Sequence, residues 1–165
     1  MADNAGANGV TKEIEERSIV VTRVFDAPRE LVYRVWTDPN HLTQWWGPKG
    51  FTNTTHEFEA RQGGVWRYTM HGPDGRDYPN KITFVKVDRP ERLEYLHGDD
   101  GNAEHFRVTV TFAEQGSKTE LTMRMLFPTA EQRDRTVKLY GAVEGLNQTL
   151  DRLSEQLRVI QEEKG

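Results

Sequence analysis

The chain has 165 residues, a formal net charge of −4 at pH 7 and no cysteine. This length is typical of a single domain with a buried core. The acidic balance argues against a nucleic-acid partner and against an anionic membrane surface. No apolar run approaches the roughly 18 residues that a membrane span needs. The lack of cysteine excludes disulfides, thiol catalysis and thiolate metal ligands, and is typical of a cytoplasmic protein.

Residues 1–14 are rich in alanine, asparagine, glycine and aspartate and lack the apolar segment of a signal peptide. We predict that they form a disordered tail. Residues 15–162 show no internal repeat and no linker composition, so they are predicted to form one domain.

The first structured segment is predicted to be a strand at Ser18–Phe25, which is rich in β-branched residues. Two short helices are predicted to follow it. The first would begin with Asp26 as its N-cap and would place apolar residues of the segment 31–36 on one face. The pair Asp38-Pro39 separates it from a second helix at Asn40–Trp46.

From Phe51 the apolar residues alternate with polar ones, which is the pattern of half-buried strands. Glycine- and proline-containing turns separate successive strands, so neighbouring strands are expected to pair antiparallel. The predicted strands are Phe51–Ala60, Val65–His71, Ile82–Asp88, Arg92–His97, Phe106–Phe112 and Leu121–Phe127.

The last segment, Thr129 to about Glu162, has the helical spacing of apolar residues along one face. Thr129 and Gln132 form a capping-box pattern at its start. A helix of about 45 Å would overhang a sheet of about 30 Å, unless Gly141 and Gly145 bend it. The stripe comprises Leu139, Val143, Leu146, Leu150, Leu153, Leu157 and Ile160. In an overhanging helix, the last three of these residues would provide a seam for a weak homodimer; otherwise a monomer is expected.

The order of elements predicts an α+β fold in which a strongly curved antiparallel sheet closes on one long helix. Six motifs also resemble the single-domain proteins similar to the C-terminal domain of activators of the Hsp90 chaperone ATPase (AHSA-type domains). These motifs are RVFDAP at 23–28, VWTDP at 35–39, QWWGP at 44–48, GGVWRY at 63–68, DRPERL at 88–93 and LNQTLDRL at 146–153. The resemblance covers residues 17–158, with Leu146 where the family often has tryptophan.

This resemblance implies the helix-grip fold of the START and birch-allergen-like superfamily. That superfamily includes lipid carriers, hormone receptors, polyketide cyclases and co-chaperone domains, so fold alone does not select a function. The motifs match only the C-terminal domain of the chaperone activators, and ATPase activation is therefore not carried over to this chain.

In a helix-grip fold, the concave face of the sheet and the long helix enclose a cavity. The strand alternation and the helical stripe place several polar-tipped side chains at apolar positions, which favours a ligand site over a plain core. The predicted lining comprises Trp66, Tyr68, Met70, Tyr95, His97, Phe106, Met123, Met125, Tyr140, Val143 and Asn147.

Three functions remain open from the sequence. The first is non-enzymatic binding of a small, largely apolar molecule in the cavity. The second is interaction with a chaperone or another protein through Trp45 and Trp46, although two short helices could also use these tryptophans to plug the sheet. The third is an enzyme of the cyclase or dehydratase kind, with His97 or Tyr95 as proton donor.

No cofactor or metal site is predicted. His56 and Glu57 would point to opposite faces of a strand, and the pair of His97 and His105 has no evident third ligand. The sequence also has no Ser-His-Asp order, phosphate-binding glycine loop or dinucleotide fingerprint.

Overall fold

A computed structural model describes residues 14–164, apart from the side chains of residues 139, 140 and 164. The predicted tail lies outside the described residues except for Ile14, which begins a single helical turn. Within the described part, no helix is long and apolar enough to cross a membrane.

Seven antiparallel strands form one curved sheet in the order β1-β7-β6-β5-β4-β3-β2. The strands are β1 Ser18–Phe25, β2 Thr52–Phe58, β3 Val65–His71, β4 Asp77–Asp88, β5 Arg92–Gly98, β6 Phe106–Gln115 and β7 Lys118–Leu126. The helices are α1 Arg29–Thr37 and α2 Pro39–Trp45 after β1, and α3 Ala130–Tyr140 and α4 Ala142–Lys164 at the end. The predicted α+β helix-grip arrangement is confirmed.

Helix α4 supplies the centre of the core, because its apolar stripe faces the sheet. Leu150, Leu153, Leu157 and Ile160 are all buried together with residues of the concave sheet face. An overhanging helix end is therefore wrong, and these leucines and the isoleucine are not available as a dimer seam.

The predicted single C-terminal helix is broken at Gly141. This glycine has φ 56° and ψ 40°, a left-handed conformation that ends α3 and lets α4 start in a new direction. The predicted start is confirmed, since the Thr129 hydroxyl oxygen accepts a hydrogen bond from the Gln132 backbone N–H at 3.1 Å.

Several element boundaries differ from the sequence-based expectation, and two of the differences concern a predicted helix cap and the length of a strand. Asp26 is not an N-cap, because α1 begins later, with Pro28 at the N-cap position and no side-chain cap. Strand β4 begins at Asp77 rather than Ile82, since residues 77–81 pair with β3 although they carry Pro79 and are mostly polar. The alternation of apolar residues therefore predicts too short a strand here, because the first five residues of the strand do not follow it.

Candidate functional site

A cavity of about 200 Å³ lies between the concave face of the sheet, the α1–α2 pair and the first turns of α4. Its wall is almost entirely apolar. The lining residues are Trp36, Trp45, Trp46, Gly47, Pro48, Tyr68, Met70, Tyr95, His97, Phe106, Met123, Met125, Ala142, Gly145, Leu146, Thr149 and Leu150.

Most of the residues that strand alternation had selected come together in this wall, namely Tyr68, Met70, Tyr95, His97, Phe106, Met123 and Met125. Trp66 instead lies beside it, stacked on the Tyr68 ring with a centroid distance of 3.9 Å. Val143 is 40% exposed and lies outside the lining, as does Asn147. The side chain of Tyr140 lies outside the described residues.

The helix contributes a different face from the one predicted. Ala142, Gly145, Leu146, Thr149 and Leu150 line the cavity at spacings of three and four residues along α4. Three of these residues are small or polar, and they therefore give no hydrophobic signal in the sequence. In the sequence, only their helical spacing indicates that these residues share the face that lines the cavity.

Three tryptophans close one end of the cavity, and we call Trp36, Trp45 and Trp46 the tryptophan plug. Trp45 is 0% and Trp46 is 8% exposed, and each ring packs edge-on against the ring of Trp36. The Trp45 indole N–H donates to the Val35 carbonyl at 3.2 Å. Both side chains are therefore internal, and the predicted interaction surface at Trp45 and Trp46 is wrong.

A short polar network runs along one wall of the cavity. The Trp46 indole N–H donates to the Tyr68 hydroxyl oxygen at 2.9 Å, and that oxygen lies 3.3 Å from His97 Nε2. His97 Nε2 lies 3.2 Å from the Asn80 side-chain oxygen. Burial, with a smaller contribution from His105, lowers the pKa of His97 to about 4, so the ring is neutral at pH 7.

Tyr95 adds a further polar group to the wall. The residue is 1% exposed, and its hydroxyl has no hydrogen-bond partner among the described residues. Burial raises the pKa of Tyr95 well above 10, and the neighbouring Tyr68 raises it further. Burial also raises the pKa of Tyr68. Both phenols are therefore neutral hydrogen-bond donors at any physiological pH.

Arg152 fixes the loop that forms the rim of the cavity. Its guanidinium donates to the backbone carbonyls of Gln44, Trp46, Gly47 and Pro48 at 2.9–3.2 Å. These carbonyls belong to the end of α2 and to the loop after it, where no helical donor remains for them. One side chain of α4 thus holds the plug against the helix.

Metal-binding geometry does not occur in the described residues. Across residues 14–164, no three histidine, aspartate or glutamate side chains cluster closely enough to hold a metal ion. His105, the predicted neighbour of His97, instead lies with its Nε2 3.3 Å from the Asp99 carboxylate.

A Thr-His-Asp alignment is present on the opposite face of the sheet. His71 Nε2 lies 2.7 Å from the Thr54 hydroxyl and His71 Nδ1 lies 2.7 Å from the Asp77 carboxylate. This is the order of nucleophile, base and orienting acid. The side chains are exposed and on the face away from the cavity, so they are not part of the candidate site.

A curved sheet gripping a long helix around an apolar cavity defines the class of helix-grip domains. The family model described as "Activator of Hsp90 ATPase homolog 1-like protein" matches residues 26–158. The chain therefore belongs to this family, as its sequence motifs indicated. No curated protein sequence matches the chain.

Solved structures of bacterial proteins share this fold. Protein Ms6760 from Mycobacterium smegmatis is 25% identical, with a TM-score of 0.80 over 90% of this chain and 95% of its own. Protein NE0264 from Nitrosomonas europaea is 26% identical, with a TM-score of 0.80 over 91% and 98%. An AHSA1-like protein from Aeromonas hydrophila is 20% identical with a TM-score of 0.68 over 87% and 94%, and at that identity it supports the fold alone.

Proposed function

We propose that this protein binds a small, largely apolar molecule in the cavity between the sheet and α4, without chemical conversion of that molecule. The observation that carries the proposal is a walled cavity of about 200 Å³ whose apolar lining includes a buried, unpaired hydroxyl, that of Tyr95. Ligand sites typically combine an apolar wall with a few convergent polar groups. A close-packed core would not leave this space beside the unpaired hydroxyl.

The enzyme alternative is supported by the position of His97, which lines the cavity as a cyclase-like reaction would require. Its chemistry argues against that role. With a pKa of about 4, His97 carries no extra proton at neutral pH, and the raised pKa of Tyr95 makes it a poor acid. Binding therefore accounts for this site better than catalysis does, because binding needs no proton donor.

The chaperone alternative rests on the family and is not supported by a specific surface. The tryptophans that sequence reasoning assigned to a partner are buried. Among the side chains that the structure describes, which leave out residues 139, 140 and 164, the exposed large apolar ones are Val20, Val24, Tyr78 and Val143. Of these, only the first two lie on one face of one strand. We therefore keep ligand binding as the proposed function.

The test is native mass spectrometry of the protein purified from the organism that encodes it, beside a denatured sample. We expect an added small-molecule mass that disappears on denaturation. A Leu146→Trp variant should lose that mass, because Leu146 lines the cavity and an indole there would occupy it. Val143→Trp is the matched control, since it adds the same ring to the same helix at an exposed position outside the cavity.

An unliganded wild-type mass, together with no change in Tm when a panel of small apolar compounds is added, would contradict the proposal. A ligand retained by both variants would also contradict it, because the ligand would then lie outside this cavity.

A further inference from the structure

We infer that the ligand is a compact, neutral molecule with a hydrogen-bond acceptor oxygen, such as an aryl ketone, held by the hydroxyl groups of Tyr95 and Tyr68. This inference rests on the proposed function and adds the class of ligand to it. It follows from a count of the donors and acceptors around the cavity.

The first step fixes the proton on His97. The side-chain N–H of Asn80 donates to the Tyr78 carbonyl at 2.9 Å, so its oxygen is the atom that faces His97 Nε2 at 3.2 Å. Two acceptors do not form a hydrogen bond, and Nε2 of the neutral ring must therefore carry the hydrogen. His97 is thus a donor at this nitrogen and cannot accept one there.

The second step frees the proton of Tyr68. Its oxygen receives the indole N–H of Trp46 and lies within reach of the Nε2 hydrogen of His97. Since neither neighbour accepts at those atoms, the Tyr68 hydroxyl hydrogen has no acceptor among the described residues. The side chain lines the cavity, so this hydrogen is available to a molecule inside it.

The third step adds Tyr95, whose hydroxyl has no partner within the described residues although it is buried. An unpaired buried hydroxyl destabilises the protein, and an acceptor on the ligand removes that cost. The Tyr68 and Tyr95 side chains both line the cavity, and an oxygen with two lone pairs, as in a ketone, is the kind of acceptor that their two hydroxyl hydrogens lack.

The charge of the lining and the volume of the cavity narrow the class of ligand further. None of the described residues that line the cavity is a lysine, arginine, aspartate or glutamate, and His97 is neutral, so a carboxylate would be buried without a counter-charge. An apolar cavity of 150 Å³ is known to hold benzene. A cavity of about 200 Å³ therefore suits a ligand of roughly ten non-hydrogen atoms and is too small to enclose a sterol or a long-chain lipid.

Three probes of nearly equal shape test this inference, namely acetophenone, α-methylstyrene and benzoate. Their dissociation constants can be measured by titration of backbone amide chemical shifts. We expect acetophenone to bind about fivefold to tenfold more tightly than α-methylstyrene, which replaces the carbonyl oxygen by a methylene group. Benzoate should bind more weakly than either.

Tyr95→Phe should bring the ratio between acetophenone and α-methylstyrene to within about twofold. Tyr33→Phe is the matched control, because the Tyr33 hydroxyl is also buried and unpaired but its ring packs on Phe112 and does not line the cavity. That variant should keep the wild-type ratio.

Equal binding of the two neutral probes, an unchanged ratio in Tyr95→Phe, or tight binding of benzoate would each overturn the inferred ligand class while leaving the cavity as a binding site. Failure of both neutral probes to bind would instead count against the proposed function itself.

Discussion

His97 makes stability depend on pH through a single side chain. Its Nε2 lies beside two uncharged groups, the Tyr68 hydroxyl and the Asn80 side-chain oxygen, and burial is the main cause that lowers its pKa, with a smaller contribution from His105. Its pKa falls from 6.5 to about 4 on folding. Below pH 6.5 the unfolded chain therefore binds a proton that the folded chain does not bind until about pH 4.

We therefore expect the contribution of His97 to the free energy of unfolding to decrease as the pH falls from 6.5 to 4, and to be constant above that window. The loss should be on the order of 3 kcal/mol. Urea denaturation of the wild type and of His97→Gln at several pH values measures it, because carboxylate effects cancel in the difference. A difference that does not vary between pH 7 and pH 4 would contradict the assignment.

At the same scale, strand residues of the cavity were predictable from sequence and helix residues were not. Alternation with period two placed Tyr68 and His97 on the concave face, because side chains two residues apart in a strand point to the same face. Helical positions depend on rotation instead, at about 100° per residue. Val143 and Asn147 each lie one residue after a position that lines the cavity. An error of one residue in the predicted face of the helix therefore places both outside the cavity lining.

At the scale of elements, the break between α3 and α4 is the largest departure from the sequence-based expectation. The stripe is continuous in spacing from Leu139 to Ile160, and periodicity cannot detect a single residue with positive φ inside it. Gly141 was noted as a bend position, but its left-handed conformation is a backbone property that only the structure shows.

The same substitution at two neighbouring glycines should have opposite effects. Gly141→Ala should lower the free energy of unfolding by about 1 kcal/mol, because alanine disfavours the left-handed conformation although its Cβ would meet no atom within 4 Å. Gly145→Ala should raise it by up to about 1 kcal/mol, since that residue lies within α4. Its Cβ would lie 3.4 Å from Pro48 Cγ, which is ordinary contact.

Urea denaturation of both variants checks this prediction. A stabilised Gly141→Ala protein would mean that α3 and α4 can join into one helix without cost. A destabilised Gly145→Ala protein would mean that the rim loop at Pro48 cannot yield to a methyl group.

At the scale of the whole molecule, the apolar face of α4 is buried, and the exposed large apolar side chains are scattered in the part of the chain that the structure describes. Leu153, Leu157 and Ile160 are buried, and β1 and β2 are the free edges of the sheet. We therefore expect a monomer of 19.1 kDa in sedimentation velocity at micromolar concentration.

A stable dimer would contradict this expectation and would point to β1. Val20 and Val24 are each 48% exposed on one face of that strand. Val20→Lys should then dissociate the dimer, whereas Val143→Lys, a charge at an isolated exposed position, should not.

The Arg152 contacts also have a consequence for how fast a ligand exchanges. The rim loop and the tryptophan plug can swing away from α4 only if four carbonyls lose the same guanidinium donor together. Opening is then a rare, cooperative event rather than a gradual one. If the proposed ligand leaves by this route, its residence time would follow the opening rate of the loop, and weak and strong ligands would leave at more similar rates than their affinities suggest.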